Sequence, residues 1–458
     1  MRLPLAALVA GLLFPAAASA ATAEVKVIQG YGTYAVAQYE AAPGEVNDLT
    51  AQGATDPIVL TDTGAEITPG PGCTAITAHS VTCTSPSTDS DLTVYAELGD
   101  EADHFTSEGP SFDAEGGPGD DDLEGGAAGG TLEGDEGDDT LRAGVAGGWL
   151  LGGDGADELT GSDRNDQLRG GAGPDKIDGA GQFDTDWSYG DIVSYEDQNG
   201  PVTVDLSEPG SPAGAAGEGD TISNVESVHG SRGPDTITLS QDLPPGGRRT
   251  LVLGNGGNDL ISGGPGPDEL YGDRSHDRIR GAGGDDVVGG GPGRDTLDGG
   301  AGENEMGSSE GDLPERDVVR CGAGGSVSVG SGVRPLLDLI DQSCGRLTFF
   351  GGPLVEVLHA FKGQPVSAVQ LTPQCWKRCV VAVELHAHGR VVGAAQREIK
   401  RERSGTLTMP LSRAVRDELA QAGALKLGVS IVVRWGARLR HRDATGYSLL
   451  LHGSPPAR

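Results

Sequence analysis

The sequence predicts an all-β protein: a parallel β-roll of nonapeptide repeats, flanked by an N-terminal β domain and a C-terminal β-sandwich. Three observations carry this. From 116 to 178 the chain advances in seven consecutive steps of nine residues, opening with GGPGDDDLE and closing with GGAGPDKID. The eighth place of every step is aliphatic: Leu123, Leu132, Leu141, Leu150, Leu159, Leu168 and Ile177. Glycines crowd the first four places, where a tight turn tolerates no Cβ, so turn and short strand alternate with the same period. Two steps close one coil, and turns two steps apart stack along one edge.

The best copies, at 116–124, 152–160, 170–178, 263–271 and 290–298, fit Gly-Gly-x-Gly-x-Asp-x-(aliphatic)-x. The sixth-place aspartate supplies a hard anionic oxygen, and turn carbonyls supply the remaining ligands of a six- to eight-coordinate calcium. This pattern resembles the RTX, or haemolysin-type calcium-binding, repeat family. The resemblance implies Ca2+ held between stacked turns. In the first array it places Asp121, Asp139, Asp157 and Asp175 on one edge, while Gly130, Gly148, Asp166 and Asp184 hold the eroded opposite edge. Calcium is therefore expected mainly along one edge there, with Asp166 as the ligand kept on the other. A second array starts with GSRGPDTIT at 230–238 and, after an insertion, runs for six steps over 254–307. Its ligand places are Asp235, Asp259, Asp268, Asp277, Asp286 and Asp295, on both edges, fading at Asn304.

The remaining segments follow in order. Residues 1–20 (MRLPLAALVAGLLFPAAASA) join Arg2 to an apolar run and small residues, the pattern of a secretory signal peptide and too short for a membrane span. Residues 21–110 form the N-terminal β domain, with strands expected at 31–39 and 92–98. There AAPGEVNDLT, followed by Cys73 and Cys83, resembles the leader module that precedes these repeats in secreted actinobacterial proteins. The roll spans 111–345, with an interruption at about 187–229 that still reads as strands at 191–195, 201–206 and 222–228 around a loop at 209–219. RDVVRCG at 316–322, followed by Cys344, resembles the cysteine-pinned closing segment of the family. Residues 346–458 lose the glycine period and resemble an immunoglobulin-like β-sandwich with a short helix at 412–422, N-capped by Ser412. Export favours disulfides among the six cysteines; order along the chain favours Cys73–Cys83, Cys321–Cys344 and Cys375–Cys379 among the fifteen pairings possible.

Charge divides the chain. Residues 346–458 carry 17 Lys and Arg against 7 Asp and Glu, net +10, which leaves the preceding residues with 16 against 61, net −45. An acidic block of that size repels nucleic acid and anionic lipid and collects divalent cations. Its carboxylates keep phase with glycine and leucine, which an acidic disordered linker has no reason to do.

Catalytic motifs do not emerge. GSSEG at 307–311 lacks the strand–turn–helix setting of a nucleophile elbow, and HExxH is absent. His386 and His388 make two imidazoles without a third ligand. His79 and His104 stand singly, as surface side chains. The expectation is a non-enzymatic, secreted, extracellular calcium-binding protein with a structural or surface-interaction role. Its expected partners are calcium ions and an anionic cell-wall polymer or another surface protein. The alternatives are a secreted hydrolase with an unrecognised active site and an RTX-like toxin.

Overall fold

The computed structural model describes residues 20–29, 33–53, 56–86, 92–181, 189–208, 210, 212–240, 249–308 and 317–322, and beyond these the strands and helix between 326 and 452. The expected signal peptide (except Ala20), Asp184, the tail of GSSEG, Cys344 and His388 lie outside the described residues. The chain divides into two units, Met1–Asp154 and Gly155–Arg458.

In the first unit, parallel strands stack into two walls. Phe112–Pro118 pairs with Gly130–Glu136, and that strand with Gly148–Asp154. On the other wall Asp122–Glu124 pairs with Thr140–Arg142. Phe112 lies opposite Gly130, and Leu123 opposite Leu141, so one coil takes 18 residues, two nonapeptide steps. This register puts the eighth-place leucines side by side inside the walls, where Leu123, Leu132, Leu141 and Leu150 are fully buried.

Stacking begins well before the glycine repeats. Thr33–Glu40 pairs in parallel with Leu92–Glu97, which pairs with Phe112–Pro118; Asp48–Gln52 pairs with His104–Ser107, which pairs with Asp122–Glu124. Ala21–Gln29 runs antiparallel along Thr33–Glu40. A meander of Ile58–Asp62, Ser80–Cys83 and Cys73–Thr77 extends the second wall, pinned by the expected Cys73–Cys83 disulfide.

The second unit repeats the plan. One wall stacks Gln167–Ala172, Ile192–Ser194, Ser227–His229, Thr250–Leu253, Asp268–Tyr271, Val287–Gly289 and Glu305–Ser308, all parallel. The facing wall includes Thr236–Thr238, Leu260–Ser262, Arg278–Arg280, Thr296–Asp298 and Val318–Arg320, also parallel. The interruption contributes further coils to these walls. Its expected strand at 222–228 is two strands, Asp220–Ser223 and Ser227–His229, because Asn224 turns the chain with φ 54° and carries it from one wall to the other. Its expected loop at 209–219 includes the strand Pro212–Ala215, antiparallel to both neighbours.

Stacking also outlasts the fading motif. Ser326–Val329 and Arg346–Phe349 continue one wall, and Leu339–Asp341 continues the other. Thr445–His452 then pairs in parallel with Leu339–Asp341, so a C-terminal strand covers an edge that would otherwise expose unpaired amides. Beyond the repeats, Cys379–Ala387, Arg390–Ile399, Ala424–Trp435 and Thr445–His452 form antiparallel pairs. The helix Arg413–Ala422 starts at Ser412, whose Oγ accepts the Val415 amide at 3.4 Å. Cys321 is disulfide-bonded, and no free cysteine occurs among the described residues.

Leu270 on one wall and Leu260 on the facing wall differ in burial: Leu270 is fully buried, Leu260 is 49% exposed. In calcium-containing buffer, Leu270→Ala is expected to lower the unfolding free energy by about 2–5 kcal/mol. Leu260→Ala should stay within about 0.5 kcal/mol. Urea denaturation of both variants checks this.

Candidate metal centre

The turns between the walls bring the sixth-place residues into ladders. Asp121 donates its amide to Asp139 Oδ1 at 2.8 Å, one coil further on. In the second unit Asp157 donates to Asp175 (3.0 Å), Asp235 to Asp259 (2.8 Å), Asp259 to Asp277 (2.9 Å) and Asp277 to Asp295 (2.9 Å). On the other edge Asp268 donates to Asp286 (3.0 Å), and Asp286 to Asn304 Oδ1 (2.9 Å). Every sequence-derived ligand, including Asp166, is buried to 2% exposure or less.

Each rung uses one carboxylate oxygen. The second lies over the first glycine of its own repeat, so a Cβ on Gly116 would collide with Asp121 Oδ2, and a Cβ on Gly272 with Asp277 Oδ2. That crowding gives the first-place glycine its reason. In Asp121, Asp175, Asp259, Asp277 and Asp286 this second oxygen is buried and accepts no hydrogen bond. A buried carboxylate oxygen without a donor is costly unless the group protonates or meets a cation.

Three aspartates differ. Asp235 Oδ2 accepts the Ser231 amide at 2.7 Å, while its Oδ1 takes the Val202 amide and the Ser231 hydroxyl. Asp268 Oδ2 takes the Gly264 amide, and Asp166 Oδ2 the Ser162 amide, both at 2.7 Å. Neutral donors from the second place of the same repeat satisfy these oxygens.

Electrostatics follow burial. Desolvation, only partly offset by the accepted backbone amide, pushes Asp139 up to about 6, Asp121, Asp175 and Asp259 to about 7, and Asp277 and Asp286 to about 8. Neighbouring rungs add repulsion, Asp295 and Asp259 acting on Asp277. Asp235 and Asp268 are also raised by burial, against their extra donors.

The arrangement suits a hard divalent cation. The donors are oxygens, the open carboxylate oxygens are anionic, and turn carbonyls lie in the same crowded space: a Cβ on Gly254 would meet both Asp259 Oδ2 and the Gly272 carbonyl. Among the described residues no three His, Cys, Asp or Glu side chains converge on one point, so main-chain carbonyls would have to complete each shell.

The first unit's opposite edge is built otherwise. Phe112 holds the ladder place one coil before Gly130, and its ring lies where a Cβ on Gly125 or Gly130 would sit. An aromatic ring fills that edge instead of carboxylates.

The structure adds rungs that the glycine motif does not reveal. Asp103 precedes Asp121 and donates to its Oδ1 at 2.7 Å. Asp220 follows Asp175, Asp191 follows Asp166, Glu226 follows Asp191, and Asp317 follows Asp295. The signal they share is Asp/Glu-x-(apolar), as in Asp103-His104-Phe105 and Asp220-Thr221-Ile222, surviving where the glycines do not.

Comparison with protein families matches the RTX calcium-binding nonapeptide repeat in four copies, at 115–145, 151–186, 253–288 and 290–312. No curated protein matches the chain. The matched segments hold Asp121, Asp139, Asp157, Asp166, Asp175, Asp259, Asp268, Asp277, Asp286 and Asp295. These ten buried aspartates thus lie in RTX calcium-binding nonapeptide repeats, whose ion is Ca2+.

Proposed function

We propose that this is an exported, non-enzymatic protein whose acidic roll closes on Ca2+ outside the cell and then serves a structural or surface-interaction role. The observation that carries it is the set of buried carboxylate oxygens without donors at Asp121, Asp175, Asp259, Asp277 and Asp286, in phase with the calcium-binding repeat. Export rests on the signal-like residues 1–20. Inside the cell, where free calcium is scarce, mutually repelling carboxylates hold the repeats open; outside, sites with Kd on the order of 10⁻⁴–10⁻³ M fill and lock them. The ligands are Asp121, Asp139, Asp157, Asp175, Asp259, Asp277, Asp286 and Asp295, with weaker parts for Asp166, Asp235 and Asp268. The domains are the leader β region at 21–110, the roll at 111–345 and a sandwich at 346–458, whose net charge of +10 suits an anionic wall polymer. No helix among the described residues is long and apolar enough to cross a membrane.

Calcium titration followed by circular dichroism, with magnesium as control, tests this reading. Strand signal should rise with calcium and not with equal magnesium; a chain equally folded in excess chelator contradicts it.

The two kinds of aspartate should behave differently. Asp277→Asn is expected to weaken calcium binding at its turn by at least on the order of tenfold, the loss seen when even a supporting residue of a metal site is disturbed. Asp235→Asn, at a carboxylate already served by Ser231 and Val202, should leave the calcium midpoint nearly unchanged. Isothermal titration of both variants against wild type separates these outcomes.

Protons compete with the ion. The raised aspartates titrate between about 6 and about 8 in the folded chain, against about 3.9 when unfolded. The calcium-free fold therefore takes up protons that the unfolded chain does not. The resulting stability is fully present below the unfolded value and is lost as pH rises through the folded ones. In chelator the melting temperature should be higher at pH 5 than at pH 8, whereas apparent calcium affinity should fall over the same acidification. Melts and titrations at the two pH values read both signs.

A further inference from the structure

Asp103 lies outside the matched repeats and carries no GGxGxD motif, yet its turn reproduces a repeat turn feature by feature. Counted 18 residues back from GGPGDDDLE, the segment LGDEADHFT at 98–106 puts Gly99 at the second place, Glu101 at the fourth, Asp103 at the sixth and Phe105 at the eighth. The backbone agrees. Gly99 has φ 107° where Gly117 has 97° and Gly153 has 124°; Glu101 has φ 98° where Gly137 has 147°. A non-glycine residue in that region is strained, so the stack imposes the repeat conformation on a sequence that does not favour it.

The hydrogen bonds agree as well. The Glu101 amide donates to the Pro118 carbonyl at 2.9 Å, as the Gly119 amide does to Glu136 at 2.8 Å. The Asp103 carbonyl accepts the Asp122 amide, as that of Asp121 accepts Thr140. Asp103 Oδ1 accepts the Asn47 amide at 2.6 Å, the part Asp121 Oδ1 plays for Asp103. The Gly99 and Glu101 carbonyls point at the next turn, where Cβ atoms on Gly117 and Gly119 would strike them, as one on Gly137 would strike the Gly119 carbonyl. Phe105 is fully buried in line with Leu123. Two places depart in sequence: Glu101 stands at the fourth, and buried Leu98 stands where the repeats have their first glycine.

What points to a ligand is Asp103 itself. The residue is 3% exposed, and its Oδ2 is buried without a hydrogen-bond partner. We propose that the turn 99–103, stacked on the turn 117–121, forms an additional Ca2+ site at the start of the ladder, with the Asp103 carboxylate and main-chain carbonyls as its donors. The calcium-bound stack then begins one coil before the glycine-rich repeats, inside the N-terminal region. This inference rests on the repeats binding Ca2+ at all.

The test counts ions. Asp103→Asn keeps an oxygen to accept the Asn47 amide, and Asn304 already fills such a rung by accepting the Asp286 amide at 2.9 Å. The full chain carrying this change is expected to bind one calcium fewer than wild type by isothermal titration, with the same strand signal in saturating calcium. An unchanged count overturns the proposal. A wild-type chain that binds no calcium overturns the reading of the repeats instead, so the two failures are distinguishable. Glu101→Gly supplies the residue that φ 98° favours; it should raise the melting temperature and leave the ion count as it is. An ion bound by Glu101→Gly and not by wild type would show that the native turn is closed to calcium, and would also overturn the proposal.

Discussion

The architecture depends on how a buried aspartate divides its two oxygens. Oδ1 accepts the amide of the aspartate one coil earlier, so the side chain carries a main-chain function and holds the turns in register. Oδ2 is pressed over a glycine of the same turn and, at Asp121, Asp175, Asp259, Asp277 and Asp286, has no donor. The first oxygen makes the carboxylate necessary to the stack, and the second makes the stack unstable when the carboxylate is charged and alone. Only a proton or a cation relieves that conflict. The suitability of these turns for a cation thus follows from the hydrogen bond that organises the coil.

Much of this was legible in the sequence, because the roll is a one-dimensional object. Each nine-residue step makes the same turn and buries the same aliphatic place, so phase alone located Leu123 to Ile177 and Ile261 to Met306, all buried as expected. Rungs lacking the motif were not legible. Asp220 follows Asp175 after 45 residues and Asp191 follows Asp166 after 25, so insertions hide the coil length. Asp103 keeps the coil length but has Glu101 where glycine is expected, and strain imposed by neighbours has no signature in composition. The division of 222–228 at Asn224 was missed for a related reason: one residue at positive φ redirects a stretch whose alternation still reads as a single strand.

The eroded edge shows how a coil does without ions. Phe112 takes a ladder place, packs its ring against Gly125 and Gly130, and meets Phe105 with ring centroids 5.8 Å apart. A buried aromatic contributes apolar area and carries no charge to be neutralised. The same exchange explains why glycine persists at 125, the first place of its step, although the acid place at 130 holds no acid. It is kept to receive the ring, so a glycine that looks like the relic of a metal turn has a packing role.

A third solution lies in the interruption and in the step that follows it. There the carboxylates are kept but are answered by protein donors: the Tyr195 hydroxyl reaches Asp220 Oδ2 at 2.9 Å, and Ser231 serves both oxygens of Asp235. Asp220 follows Asp157 and Asp175 in one ladder, and Asp235 precedes Asp259 in the one that runs to Asp317. In the second unit, therefore, two ladders adjoin coils whose acids accept donors from the protein. The donors at these coils are neutral protein groups, so their carboxylates call less for a cation than those of their neighbours do. They supply turns on which the ladders can build from either side: Asp220 Oδ1 accepts the Asp175 amide, and the Asp235 amide donates to Asp259 Oδ1, so each ladder continues from a coil whose own acid already has protein donors.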